Sequence, residues 1–321
     1  MRKHNLMIVL LASLILFVSP LTPRAQQIAA GELFPIRVSG KHGYIDRTGQ
    51  IVLPPRFESA SQFSEGLAMI SADFKSGFID TTGKVIIKPQ FDWAGDFSEG
   101  LAYIEMGGKY HIGAKYGFID RTGRVVIPAQ FDGAYGFSEG LACVLKGVYY
   151  GYINKSGQFV IEPKFLRAKS FSEGLAPVEV DDKWGYINKT GKVIIPPKFF
   201  EAESFSEGLA AVRVGDKWSY IDNTGKVVIA PQFSLAYSFS EGLAPVIIGG
   251  YYEPTGRVFH PFEFKGGEWA YIRKSGEVVL KLPRETNYVE GFTNGLAYIR
   301  LEDYSYGYID KTGKYVWKPS K

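Results

Sequence analysis

The chain has 321 residues, of which 45% are hydrophobic, 15% aromatic and 22% charged, enough to bury a large core and too apolar for a disordered segment. Its formal net charge is +4, but three of the excess positive charges, Arg2, Lys3 and Arg24, lie in the first thirty residues, so net charge makes no case for nucleic acid. A lone cysteine, Cys143, excludes any intrachain disulfide and fits a small buried hydrophobe.

Residues 1–30 have the layout of a secretory signal peptide with a short tail. A basic head, Arg2-Lys3-His4, precedes an apolar run from Leu6 to Val18, shorter than the roughly 20 residues of a membrane span. No second long apolar run follows. The expectation is therefore an exported protein, periplasmic or extracellular, with no stable membrane span once the leader is cleaved.

From residue 31 to 321 the chain is expected to be a single domain built by repetition. The stretch from Trp184 to Ala210, WGYINKTGKVIIPPKFFEAESFSEGLA, returns 34 residues later from Trp218 and, in variant form, 34 residues earlier from Tyr150. Within it, Gly185 to Asn188 is a strand signal, and Asn188-Lys-Thr-Gly191 is a turn opened by a side chain that accepts backbone N–H groups. Glycine closes that turn because the position calls for φ > 0, which predicts a type I turn with a glycine bulge. Val193 to Ile195 is the return strand, and Pro196-Pro197 ends it or marks it as an edge. After Phe205-Ser-Glu-Gly208, another strand runs from Leu209 to Val214. No segment has a 3.6-residue period, so the fold class is all-β.

The turn glycines fall at 49, 83, 123, 157, 191, 225, 276 and 313, which gives about eight units of roughly 34 residues. Three places depart from the pattern. An insertion lies within Met106 to Lys115 and holds His111, the last unit stops after Trp317-Lys-Pro, and the gap from Gly225 to Gly276 is one and a half repeats long. The irregular segment 249–267 contains what resembles a ninth, damaged hairpin around Gly256.

Two architectures fit the unit. A closed β-propeller would place Leu209–Val214 innermost, Tyr186-Ile187 second and Val193–Ile195 third, with 199–203 as a short outer strand or return loop. An open β-superhelix or solenoid tolerates short units, but its terminal units should be atypical.

The repeated polar residues point to structure. Six glutamates, from Glu65 to Glu241, stand at one unit position, where a catalytic pair would occur once. They are expected to accept backbone N–H bonds in turns. Basic residues at the hairpin tips, such as Arg121, Lys155 and Lys189, should lie on the same face and form a mixed-charge rim with them. Trp184, Trp218 and Trp269 share one position, where an aromatic ring is expected to stack between units. The sequence calls for no metal, no cofactor and no catalytic residue: His42, His111 and His260 do not cluster, and no nucleophile elbow or phosphate loop occurs.

The unit closely resembles the WG-repeat family, which carries an aromatic-Gly-Tyr-Ile-Asp/Asn-x-Thr/Ser-Gly core and a Phe-Ser-Glu-Gly-Leu-Ala tail. The match covers essentially Val38 to Pro319 and departs at Ser219, Ala270 and Asn294. The resemblance implies a bacterial exported or envelope protein and transfers no catalytic residue. The expected function is a non-enzymatic binding or scaffolding protein of the envelope or exterior, acting as a monomer on an envelope protein or polysaccharide. The alternative is a polymer-acting hydrolase or lyase at a central opening, drawing on Glu105, Asp181, Glu263 or Glu268. The candidate ligand-contact residues are Tyr251, Tyr252, His260, Phe262 and Trp269.

Overall fold

A computed structural model describes residues 32–108, 113–254 and 262–318; the leader, His111, Gly256 and His260 lie outside them. Every regular element among the described residues is a strand, and no helix long and apolar enough to cross a membrane occurs there. The strands form eight antiparallel blades arranged in a ring, a β-propeller, over residues 34–57, 59–91, 93–131, 133–165, 168–199, 201–233, 235–281 and 286–317.

Blade 6 shows how the sequence builds one blade. Lys217–Ile221 pairs with Val227–Phe233 across a turn in which the Gly225 N–H donates to the Asp222 carbonyl at 2.9 Å. Asp222 Oδ1 accepts from the Thr224 N–H, the Thr224 hydroxyl and the Lys226 N–H, and Gly225 has φ of 82°, so the type I turn with its glycine bulge is present as expected. The outer strand does not stop at its prolines. In blade 5 it runs Val193–Phe199 straight through Pro196-Pro197, which an outer edge permits because no further strand needs their N–H groups.

One expectation about strand order needs correcting. The short segment after the outer strand does not lie outermost. Glu201–Ala202 pairs with Ala210–Val214 and becomes the innermost strand of the next blade, ahead of the second strand expected to hold that place. Two residues have no readable period, and their partner lies beyond a turn.

The core lies between blades. Tyr44, Phe78, Phe118, Tyr152, Tyr186, Tyr220 and Tyr271 in the third strands are fully buried and pack against Phe63, Phe97, Phe137, Phe171, Phe205, Phe239 and Phe292 of the following blade at 4.7 to 4.9 Å. These tilted ring pairs add to the area that they bury. Cys143 is fully buried, and burial pushes its thiol up to about 12.

The ring closes between blades 8 and 1. Tyr308 of blade 8 packs against Phe34 of blade 1 at 5.3 Å, and its hydroxyl donates to the Pro35 carbonyl at 2.9 Å. Arg47 Nε donates to the Asn294 carbonyl at 3.2 Å, as Lys155 Nζ does to the Glu99 carbonyl at 2.9 Å. A closed ring leaves few strand edges open.

Candidate functional site

Three surfaces arise from this ring: a belt on one rim, an insertion on the other and the wall of the central opening. The belt consists of the Phe-Ser-Glu-Gly turns. Each is a two-residue hairpin with both central residues at positive φ, as at Glu207 (54°) and Gly208 (84°). The serine hydroxyls of 64, 98, 138, 172, 206 and 240 donate to the phenylalanine carbonyl of the next turn. The glutamates do accept backbone N–H groups, but from the following blade: Glu207 takes the Gly242 N–H at 3.1 Å. Hairpin-tip cations complete the belt, with Lys155 Nζ at 3.2 Å from Glu99, Lys189 at 3.0 Å from Glu139, Lys274 at 3.2 Å from Glu207 and Lys311 at 3.0 Å from Glu241. This is the mixed-charge rim, and its charges are engaged with one another.

The irregular segment joins the second and third strands of blade 7. Tyr251–Pro254 pairs with Phe262–Lys265 in a separate two-stranded hairpin, which is an extension of blade 7 and not a ninth blade. Tyr251, Tyr252 and Phe262 stand on its strands. Trp269 is placed differently: it is buried and stacks on Tyr237 at 6.0 Å and 13°. Both rings belong to blade 7. The equivalent pair Tyr150–Tyr135 also falls inside one blade, and in blade 3, where Gly95 leaves the place empty, Tyr116 meets Tyr103 of the neighbouring strand instead, so this aromatic position braces its own blade's inner strands and does not stack between units.

The third surface went unnoticed in the sequence. On the innermost strands the residue after a small apolar one, an alanine in six blades and Val289 in blade 8, differs in every pair of neighbouring blades: Ser61, Gly95, Tyr135, Lys169, Glu203, Tyr237 and Glu290. Its backbone is fixed, since a third-strand tyrosine of the preceding blade donates to its carbonyl at Ser61, Lys169, Glu203, Tyr237 and Glu290. Its side chain varies from blade to blade. Lys169 Nζ lies 2.6 Å from Glu203, and the Ser61 hydroxyl lies 2.6 Å from Asp96. Loss of water from their surroundings raises the carboxyls of Asp96 and Glu290 above their ordinary values, only partly offset by hydrogen bonds from Ser61 and Tyr288. Superimposing the repeats on one another was the signal that could have found this position.

Two cavities open along this wall. One of about 390 Å³ is lined by Glu203, Tyr237, Ser238, Tyr288 and Glu290 across blades 6 to 8. The other, of about 640 Å³, lies where blade 8 meets blades 1 and 2. By contrast, the carboxylates considered for hydrolysis are dispersed. Glu105 is buried in blade 3 and accepts from the Tyr116 hydroxyl at 3.0 Å, Asp181 is in a turn of blade 5, and Glu268 of blade 7 meets Lys281 at 3.1 Å. Glu263 stands on the inserted hairpin.

A family model described as "WG containing repeat" matches residues 43–73, 77–110, 116–147, 150–184, 184–218 and 218–252. No curated protein sequence matches the chain. Among solved structures, a crystal structure of the eukaryotic initiation factor is similar with a TM-score of 0.55 and 14% identity, over 87% of this chain and 81% of that one. The tricorn protease is similar with a TM-score of 0.50 and 10% identity, over 90% of this chain and 40% of that one. BamB from Moraxella catarrhalis gives a TM-score of 0.47 and 11% identity, over 91% and 88%. At such identities the likeness extends to the fold alone.

Proposed function

This chain belongs to the WG containing repeat family, and from that premise we propose that it is a non-enzymatic binding or scaffolding module of the bacterial cell envelope or exterior, taking an envelope protein or polysaccharide at the wall of its central opening. One observation carries the reading. A chain that repeats its turns, its belt and its core from blade to blade varies its chemistry at the residue facing that opening, from Gly95 through Lys169 and Glu203 to Tyr237 and Glu290. The buried position just before it does not vary in this way, since it keeps Ala94, Ala202 and Ala236.

The test is quantitative binding of the purified chain to isolated wall polysaccharide and to separated envelope proteins on a surface. The expected result is saturable binding to one of the two classes, reduced at least tenfold by the pair Glu203→Ala and Tyr237→Ala with the fold intact by circular dichroism. Saturable binding that the pair leaves unchanged would move the site away from the opening. Binding to neither class would remove the proposal.

A further inference from the structure

The smaller cavity, of about 390 Å³ across blades 6 to 8, combines the rings of Tyr237 and Tyr288 with the carboxylates of Glu203 and Glu290, and its described lining includes no lysine, arginine or histidine. Both rings are held before any ligand arrives. Tyr237 stacks on Trp269 at 6.0 Å, while Tyr288 meets the Tyr298 ring at 6.2 Å and the Arg300 guanidinium at 5.4 Å. The register place of Tyr288 holds Ser59, Trp93, Gly133, Glu201 and Leu235 in other blades, so the repeat itself does not require a tyrosine there.

The polar groups of this wall are short of donors. The Ser238 hydroxyl donates to the Ser204 carbonyl at 3.2 Å, the Ser240 hydroxyl to the Phe292 carbonyl at 2.5 Å and the Tyr288 hydroxyl to the Glu290 carboxylate. Each of these protons is spent inside the protein, and what the groups offer a ligand is oxygen that accepts. Glu203 is already matched by Lys169 Nζ at 2.6 Å and Glu290 by the Tyr288 hydroxyl, so neither carboxylate waits for a cationic ligand. An anion would meet two carboxylates and no cation in the lining.

We propose that this cavity seats a short stretch of an uncharged polysaccharide, with sugar rings against Tyr237 and Tyr288 and sugar hydroxyls donating to Glu203, Glu290, Ser238 and Ser240. The inference rests on the binding reading above and narrows its ligand to one class. At about 390 Å³ the cavity falls in the range of small-molecule sites, roughly 300–1,000 Å³, and takes a few units of a longer chain. Sugar rings present C–H faces that pack on an aromatic ring, and each hydroxyl can turn its proton toward an accepting wall. A peptide brings one carbonyl for every N–H and would set those carbonyls against acceptors. Because Tyr237 and Tyr288 are braced, little side-chain freedom is lost when a ligand arrives.

The probes are hexasaccharides titrated into the full chain by isothermal calorimetry. Cellohexaose, maltohexaose, laminarihexaose and the N-acetylglucosamine hexamer are the neutral chains, the glucosamine hexamer is the cationic one and hexagalacturonate the anionic one. The expected result is saturable binding of at least one neutral hexamer, at least tenfold tighter than either charged one. Tyr288→Ala and Glu290→Gln should each weaken it at least tenfold with the fold intact by circular dichroism, and Tyr288→Phe, which keeps the ring, should weaken it less than alanine does. No binding of any neutral hexamer, equal or tighter binding of a charged one, or full binding in both Tyr288→Ala and Glu290→Gln overturns the proposal. If no neutral hexamer binds while an envelope protein does, and Glu203→Ala with Tyr237→Ala abolishes that, the wall remains the binding site and its ligand is a protein. Failure of both experiments removes the two readings together.

Discussion

Glu207 holds a backbone conformation that glutamate ordinarily avoids, with φ of 54°, beside Gly208 at 84°. A turn with both central residues in this region favours Asn-Gly, and blade 8 uses that pair at Asn294-Gly295. The glutamate is kept because its carboxylate takes the Gly242 N–H at 3.1 Å and Lys274 at 3.2 Å, joining two blades. Glu207→Ala keeps the strained turn and loses both contacts, which should cost about 1 kcal/mol in urea unfolding. Glu207→Asn loses the same contacts but relaxes the turn, so it should fall between alanine and wild type. Asparagine as stable as wild type would deny the carboxylate its role. Burial pushes the Glu207 and Glu139 carboxyls up, but the backbone N–H groups of Gly242 and Gly174 and the Lys274 and Lys189 ammoniums bring them below their ordinary value. Turn aspartates such as Asp46, Asp80 and Asp310 are lowered in the same direction by the Thr hydroxyls and backbone N–H groups, against some burial. A carboxyl with a folded pKa below its unfolded one stabilises fully above the unfolded value, near pH 4, and loses that contribution as pH falls through the folded value. Asp96 and Glu290, raised instead, oppose this trend in the same window. The lowered groups outnumber them, so stability should decline below about pH 4, less steeply in Glu207→Ala.

At the scale of the blade, the close approach of third and outer strands decides which residue is tolerated. A Cβ on Gly185 would meet the Ile195 carbonyl oxygen at 2.5 Å and the Pro197 nitrogen at 2.7 Å, because the outer strand bulges inward around its prolines. Blade 6 places Ser219 at the equivalent position, and its hydroxyl donates to the Ile229 carbonyl at 2.8 Å, turning the contact into a hydrogen bond. Blade 7 places Ala270 there and pairs it directly with Lys281, with no bulge beside it. Gly185→Ala should therefore destabilise by roughly 2 kcal/mol, as overpacking does, and Gly185→Ser by less, since its hydroxyl can reach Ile195. Thermal melts of the two variants check the order, and serine melting below alanine would contradict it. The outer hairpin was legible in the sequence because Asn188 and Gly191 each have a local physical reason to be where they are. The innermost strand was not. Glu201–Ala202 is two residues long, its partner lies past a turn, and the one signal at its end is that position 203 changes between blades while the alanine before it persists in six of the seven. Trp269 stood out beside an irregular segment, but the same position is filled in other blades by rings that pack inward.

Across the whole molecule, closure depends on residues about 270 positions apart in sequence, and among the described residues the seam shows fewer contacts than the joints between interior blades. Among the described residues, the serine-to-carbonyl chain of the belt ends with Ser240 and Phe292. Asn294 replaces the glutamate at that end, and Arg47 there donates to the Asn294 carbonyl and lies 3.9 Å from Glu32. Among the described residues the seam also holds the Phe34–Tyr308 ring pair, the two tyrosine hydroxyls on the edge of blade 1, and Gly49 close against the Val316 carbonyl. A closed ring opens first where the fewest contacts must break. In native-state hydrogen exchange, the amides of Phe34–Val38 and Tyr306–Asp310 should therefore exchange faster than those of Lys183–Asn188 and Lys217–Ile221 in blades 5 and 6. Tyr308→Phe removes one seam bond and should speed exchange in the first two strands alone, while Tyr186→Phe, removing its interior counterpart to Glu203, should leave the seam unchanged. Uniform acceleration around the ring after Tyr308→Phe would mean that the eight blades unfold as one cooperative unit, with the seam no weaker than any other joint.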